Sequence, residues 1–156
     1  MEYSNNLEEL EKLDKLKNKV LKYILYKKRT EKEVRDKFKE EIDENTLEDI
    51  IEFMKENKYL DDTDYIERAV NEFMALKNMS LKEIEYKLAQ KGVSKNLIDD
   101  YICKNKEIML EYELRSATNI VRKKINSMEE QDIKSLLFKR GYMSEIISIA
   151  IDEGKE

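Results

Sequence analysis

Histidine, proline and tryptophan are absent from the chain, and glycine occurs three times, at Gly92, Gly141 and Gly154. Without histidine the commonest general base, proton shuttle and zinc ligand is missing, which removes most hydrolase and metalloenzyme constellations. Without proline, and with so few glycines, the residues that punctuate strands, turns and flexible linkers are nearly gone. The single cysteine, Cys103, has neither a disulfide partner nor a histidine for a metal or a thiolate pair, and it reads as a partly buried thiol on a helix. No glycine-rich nucleotide cradle occurs, so no cofactor is expected. Apolar runs are a few residues long, far below the ~20 that cross a bilayer, and no basic segment followed by an apolar one opens the chain. The expectation is a soluble, cytoplasmic protein that makes no membrane contact and is not an enzyme.

What is present is charge. Of the 156 residues 42% are charged, against the usual ~25%, while 40% are hydrophobic. That mixture suits helices with thin apolar stripes, and an all-α fold is expected. The net charge is −5, of which −4 falls in residues 1–14, where Glu2, Glu8, Glu9, Glu11 and Asp14 face Lys12 alone. The remainder is almost neutral, so its charge neither demands nor excludes a nucleic-acid partner.

A segment recurs three times at about fifty residues. Ile84, Leu88, Gly92, Val93, Ile98 and Ile102 reappear 49 positions later as Ile133, Leu137, Gly141, Tyr142, Ile147 and Ile151. An earlier copy matches as Val34, Phe38, Ile42, Leu47 and Ile51, one residue short where the glycine would stand, so Glu40 and Glu41 must turn differently. Apolar spacing on either side of the break reads as two helices joined by a tight turn. Thr30 with Glu33 and Ser80 with Glu83 have the form of capping boxes, and Ser127 with Glu130 looks similar but lies early, predicting a third start half a turn upstream. Gly92 and Gly141 stand where a left-handed residue ends a helix.

Another amphipathic segment precedes each pair: Val20, Tyr23, Ile24 and Leu25; then Tyr65, Ala69, Val70, Phe73 and Met74; then Ile120, Val121 and Ile125. The expected organisation is therefore an acidic extension, helical or mobile, over 1–14 and three-helix repeats over 15–60, 61–108 and 109–156, stacked into an elongated, curved array.

Asp61, Asp62 and Asp64 could be imagined as a magnesium site, but carboxylates at that place read better as a helix start complementing the dipole. The nine tyrosines are dispersed and read mainly as packing residues. Basic residues gather on the middle helices and the turns before them: Lys27, Lys28, Arg29, Lys32, Arg35, Lys37 and Lys39; Lys82, Lys87 and Lys91; Arg122, Lys123, Lys124, Lys134, Lys139 and Arg140. They read equally as solvated helix surface and as a repeated binding stripe. A helix-turn-helix is a further possibility, yet Leu47 to Asn57 is acid-rich and Met143 to Asp152 holds no Lys or Arg, the opposite of what a groove lined by phosphates needs.

Lys58 to Val70, KYLDDTDYIERAV, followed by the Ser80 to Ile102 pair, resembles the RecX family, bacterial regulators of the recombinase RecA. The matching residues are Tyr59, Leu60, Asp61, Asp62 and Tyr65, then Lys91, Gly92 and Val93, with Arg140 to Tyr142 as the basic-glycine-aromatic turn of the third copy. The likeness spans roughly Lys15 to Asp152; Asn57 stands in for the family's turn glycine, and residues 1–14 have no family counterpart. The resemblance implies tandem helical modules lying along the RecA filament on single-stranded DNA, bridging protomers and inhibiting its extension, strand exchange, ATPase and coprotease activity. The setting would be DNA repair, homologous recombination and the SOS response. It implies a monomer with RecA filament as partner and a weak direct DNA contact; an independent DNA-binding module or a protein adaptor are the other readings.

Overall fold

A computed structural model describes residues 2–156, with side chains from residue 5 onward. Nine helices and no strand occur among them: α1 Glu2–Tyr26, α2 Glu31–Phe38, α3 Glu44–Glu56, α4 Asp62–Leu76, α5 Leu81–Gln90, α6 Lys95–Lys104, α7 Lys106–Lys124, α8 Glu130–Lys139 and α9 Ser144–Gly154. The all-helical expectation is met, for the reason that selected it: nothing in the sequence breaks a helix except the short polar and glycine turns. Helix α1 runs from Glu2 through the acidic segment without interruption, while Met1 of that segment lies outside the described residues.

The chain forms two compact units. The first comprises residues up to Tyr65 together with Lys91–Val93, and its core joins α1, α2 and α3 through Val20, Ile24, Val34, Phe38, Ile50 and Met54. Tyr23 meets Phe38 edge to face at 5.5 Å. Helix α2 opens with the Thr30–Glu33 capping box: the Glu33 amide donates to Thr30 Oγ1 at 3.1 Å, and the Thr30 amide donates to the Glu33 carboxylate at 3.2 Å. Its end carries no left-handed residue; Lys39 remains right-handed and the amides of Glu41 and Ile42 both return to the Phe38 carbonyl.

Helix α3 stops at a residue the sequence did not single out. Lys58 takes φ +60°, and the amides of Tyr59 and Leu60 fold back onto the Met54 carbonyl at 2.8 and 3.1 Å. The turn position belongs to Lys58 rather than Asn57, which caps with right-handed-side geometry at φ −92°. Asp61 then caps α4, accepting from the amides of Thr63 and Asp64 at 3.0 and 3.2 Å, so the acidic cluster serves as the helix start.

The second unit comprises Ile66–Gln90 and Ser94–Glu156. Its longest helix, α7, is enclosed on several faces: Met109, Tyr112, Ala117, Ile120 and Val121 are buried, and so are the polar Glu113, Ser116 and Thr118. Around its end Ile133, Leu137, Tyr142, Ile147 and Ile151 close the core. The equivalent of Ile151 in the preceding copy, Ile102, is only half-buried. A hydrogen-bonded chain crosses this unit. Ser116 Oγ donates to the Met79 carbonyl at 2.9 Å, which leaves the Tyr142 hydroxyl, 2.6 Å away, to donate to Ser116. Burial pushes the Tyr142 phenol up to about 12, so it keeps its proton and its donor role at all ordinary pH.

Three local expectations are corrected. Ser127 donates to the Lys124 carbonyl instead of capping α8, whose N-cap is Glu129, in the same register as Thr30 and Ser80. A carboxylate can take that place because the cap position needs extended backbone, here ψ 145°, before it needs a hydroxyl. Cys103 is exposed rather than partly buried. Of the described tyrosines only Tyr112 and Tyr142 are buried, whereas Tyr26, Tyr59 and Tyr86 are exposed; helical spacing located them but did not say which side of each stripe faced inward.

Candidate partner-binding surface

The basic residues sort into cations that hold the fold and cations that face solvent. In the first unit Arg35 grips Glu48 through two bonds of 2.7 and 3.0 Å and reaches Glu31 at 3.3 Å. That fork-to-fork geometry raises the guanidinium's proton affinity further and holds the Glu48 carboxyl below its usual range. Lys28 pairs with Asp64 at 2.7 Å and Lys32 with Asp36 at 2.8 Å. Arg29 lies 4.0 Å over the Tyr23 ring, and Lys37 approaches the same ring at 5.8 Å, so an aromatic face rather than an acid gathers these two. Lys27 is exposed, and among the described residues no acid pairs with it.

Lys91 shows why the turn motif has its form. The Thr30 hydroxyl, fully buried, donates to the Lys91 carbonyl at 2.6 Å while it caps α2. The following residue, Gly92, has φ +91°, and a Cβ there would collide with the Lys32 stem at 2.3 Å. The second unit repeats the arrangement. Ser80 Oγ donates to the Arg140 carbonyl at 2.6 Å, Gly141 has φ +93°, and the Lys82 stem lies 3.0 Å from where a Cβ would stand. Arg140 also clasps Glu83 at 3.0 Å and the Asn78 carbonyl at 2.6 Å. The recurrence of a lysine at 32 and 82, and of a basic-glycine pair at 91–92 and 140–141, is thus a packing joint. The methylenes of Lys32 and Lys82 cover a glycine while their ammonium groups stay in water.

Lys82, Lys87 and Lys139 remain exposed in the second unit, with no ion pair among the described residues. The helices that would read a groove in a helix-turn-helix stay poor in cations: α9 offers Glu145, Asp152 and Glu153 to solvent, and α3 offers Glu44, Glu48, Asp49, Glu52 and Glu56 against Lys55. Fold-holding roles for Arg35 and Arg140 could not be read from charge alone, because their acidic partners lie 13 and 57 positions away.

No family model matches the chain. It is 33% identical over 149 residues to "Regulatory protein RecX" of Clostridium botulinum Eklund 17B, covering 89% of this chain and 68% of that protein. The chain belongs to the RecX family. The RecX of Clostridium beijerinckii is 30% identical, with 93% of this chain and 70% of that protein covered. The crystal structure of RecX from Lactobacillus salivarius superposes with a TM-score of 0.78 at 25% identity, over 94% of this chain and 98% of that one. These relatives are named as regulatory proteins. Among the described residues no helix is long and apolar enough to cross a membrane.

Proposed function

We propose that this protein binds the RecA filament assembled on single-stranded DNA and inhibits its extension, ATPase, strand exchange and coprotease activity, without catalysis of its own. The observation that carries the reading is RecX-family identity sustained over about nine-tenths of the chain. The fold suits it. A filament is a repeating surface, and a chain of recurring helical modules, over 15–60, 61–108 and 109–156, engages it by several weak contacts whose avidity compounds. The exposed cations Lys27, Lys82, Lys87 and Lys139 are the contact residues proposed within the wider basic set, since Arg35 and Arg140 are committed to acids of this chain.

The test is the single-stranded-DNA-dependent ATPase rate of RecA from the same organism as the purified protein is titrated in, alongside co-sedimentation with filaments. The reading expects a fall in rate at substoichiometric ratios. An unchanged rate with no co-sedimentation overturns it and favours an adaptor for another protein.

A further inference from the structure

Helix α1 of the first unit outruns the core it belongs to. Val20 and Ile24 are buried in that core and Leu13 and Leu16 pack against it, yet every residue from 5 to 12 is exposed. A helix end without packing around it is marginal in water, and helices draw most of their stability from burying an apolar face. This one carries such a face uncovered. Leu7 and Leu10 are 60% and 57% exposed, and Leu25, towards the other end of the same helix, is 65% exposed.

These leucines belong to a second stripe beside the one that meets the core. Leu7, Leu10, Asp14, Lys17, Leu21 and Leu25 follow one another at steps of three or four residues, the spacing of a helix–helix seam. The seam runs about 27 Å at about 1.5 Å per residue. Leu21 is partly buried against the core, and the Lys17 ammonium lies 4.4 Å over the ring of Phe53 on α3, which widens the apolar strip.

The charges of the helix divide at the middle of this seam. Glu8, Glu9, Glu11 and Asp14 precede the middle with Lys12 among them, and Lys15, Lys17, Lys19 and Lys22 follow it with no acid. Lys19 is paired with Glu41 at 2.7 Å, while among the described residues Glu8, Glu9, Glu11 and Asp14 have no ion-pair partner.

We propose that this face of α1 pairs antiparallel with α1 of a second copy of the chain. In that orientation Leu10 meets the partner's Leu21, Asp14 meets the partner's Lys17 and Leu7 reaches the partner's Leu25, and two-fold symmetry repeats each contact. The acidic half of each helix then lies on the basic half of the other. A parallel pair would set Asp14 on Asp14, Lys17 on Lys17 and acid on acid, which like-charge repulsion opposes. A basic helix of another protein would satisfy the acidic half and oppose Lys15 and Lys22. Only a face that complements its own reverse has this division of charge. The pair departs from the monomer that the family resemblance implies, and it is independent of the filament reading, which uses no contact through α1.

The experiment is sedimentation equilibrium of the full chain, without RecA or DNA, over a micromolar concentration series. The expected result is a mass that rises with concentration from 18.7 kDa towards twice that value. Leu7→Gln/Leu10→Gln keeps good helix formers in place and should weaken self-association about tenfold or more. Asp14→Lys and Lys17→Asp should each weaken it too. An equimolar mixture of those two variants should associate more tightly than either alone, because each supplies the charge the other lacks. Near-ultraviolet circular dichroism checks that the core is intact in every variant. A mass of 18.7 kDa at all concentrations overturns the proposal and leaves the stripe to a different protein. Dimers that tolerate Leu7→Gln/Leu10→Gln, or a mixture that associates no better than its components, overturn it as well, by placing the interface elsewhere. Because RecA is absent, failure here leaves the filament reading standing.

Discussion

Ser80 caps helix α5 and, through the same oxygen, donates 2.6 Å to the carbonyl of Arg140, sixty positions along the chain. One hydroxyl thereby satisfies an orphan amide and a turn carbonyl at once, and Thr30 does the same for Glu33 and Lys91. Replacing Ser80 with Ala removes the cap and strands a part-buried acceptor. We expect a loss of about 1–3 kcal/mol, read as a fall in thermal midpoint by circular dichroism. Ser80→Thr retains the hydroxyl and should retain most of the stability; an alanine variant that melts with the parent would remove the joint's importance.

Gly92→Ala should be worse than Gly141→Ala. Both impose a left-handed conformation costing about 1–2 kcal/mol on a residue with a Cβ. At 92 the new atom would also sit 2.3 Å from the Lys32 stem, against 3.0 Å from Lys82 at 141. Denaturant midpoints of the two variants give the order, and the reverse order would mean that the Lys32 chain swings aside freely.

Lys58→Gly should stabilise. The lysine holds φ +60° to end α3, a conformation that glycine takes without penalty. A gain of about 0.5–1 kcal/mol is expected from the same denaturant titration, because glycine's larger unfolded-state entropy offsets part of the relief.

The basic residues should separate into two classes. Arg35→Gln breaks a two-bond grip on Glu48 and should lower the thermal midpoint, while Lys27→Gln/Lys139→Gln should leave it unchanged and weaken co-sedimentation with RecA filaments severalfold. Unaltered co-sedimentation by the lysine variant would take these two residues out of the contact surface.

Glu113 is buried with Oε1 accepting the Leu81 amide and Oε2 without a partner, and burial raises its proton affinity. A raised carboxyl keeps its proton to higher pH in the folded than in the unfolded chain. Its ionisation therefore opposes folding progressively from the unfolded value, about 4.3, up through the folded one. Glu113→Gln, neutral at every pH, should gain stability relative to the parent between pH 4 and 8. Thermal midpoints of both proteins at the two ends measure it, and a constant difference would show that Glu113 does not titrate in that window.

Much of the fold was legible before any coordinates. The i, i+4 pattern placed Val34, Phe38, Ile84, Leu88, Ile133 and Leu137 in the core, where all six are buried. The glycine turns and two of the three capping boxes stood as read, since these depend on residues within four positions of one another. Failures fell where a residue's fate depends on something distant. Ser127 resembled a cap and is none, and Ile102 occupies a core position of the repeat yet is half-buried.

The sequence alone determined the helices, their order and the family, because backbone conformation here follows from local apolar spacing, capping and the near absence of breakers. Only the tertiary structure decided what the recurring charges do. Whether Lys32, Arg35, Lys82 or Arg140 faces a partner or braces its own chain depends on which glycine or acid lies across from it. Those neighbours, Gly92, Glu48, Gly141 and Glu83, come from up to sixty positions away. Linear spacing carries no information about such pairs until the helices pack.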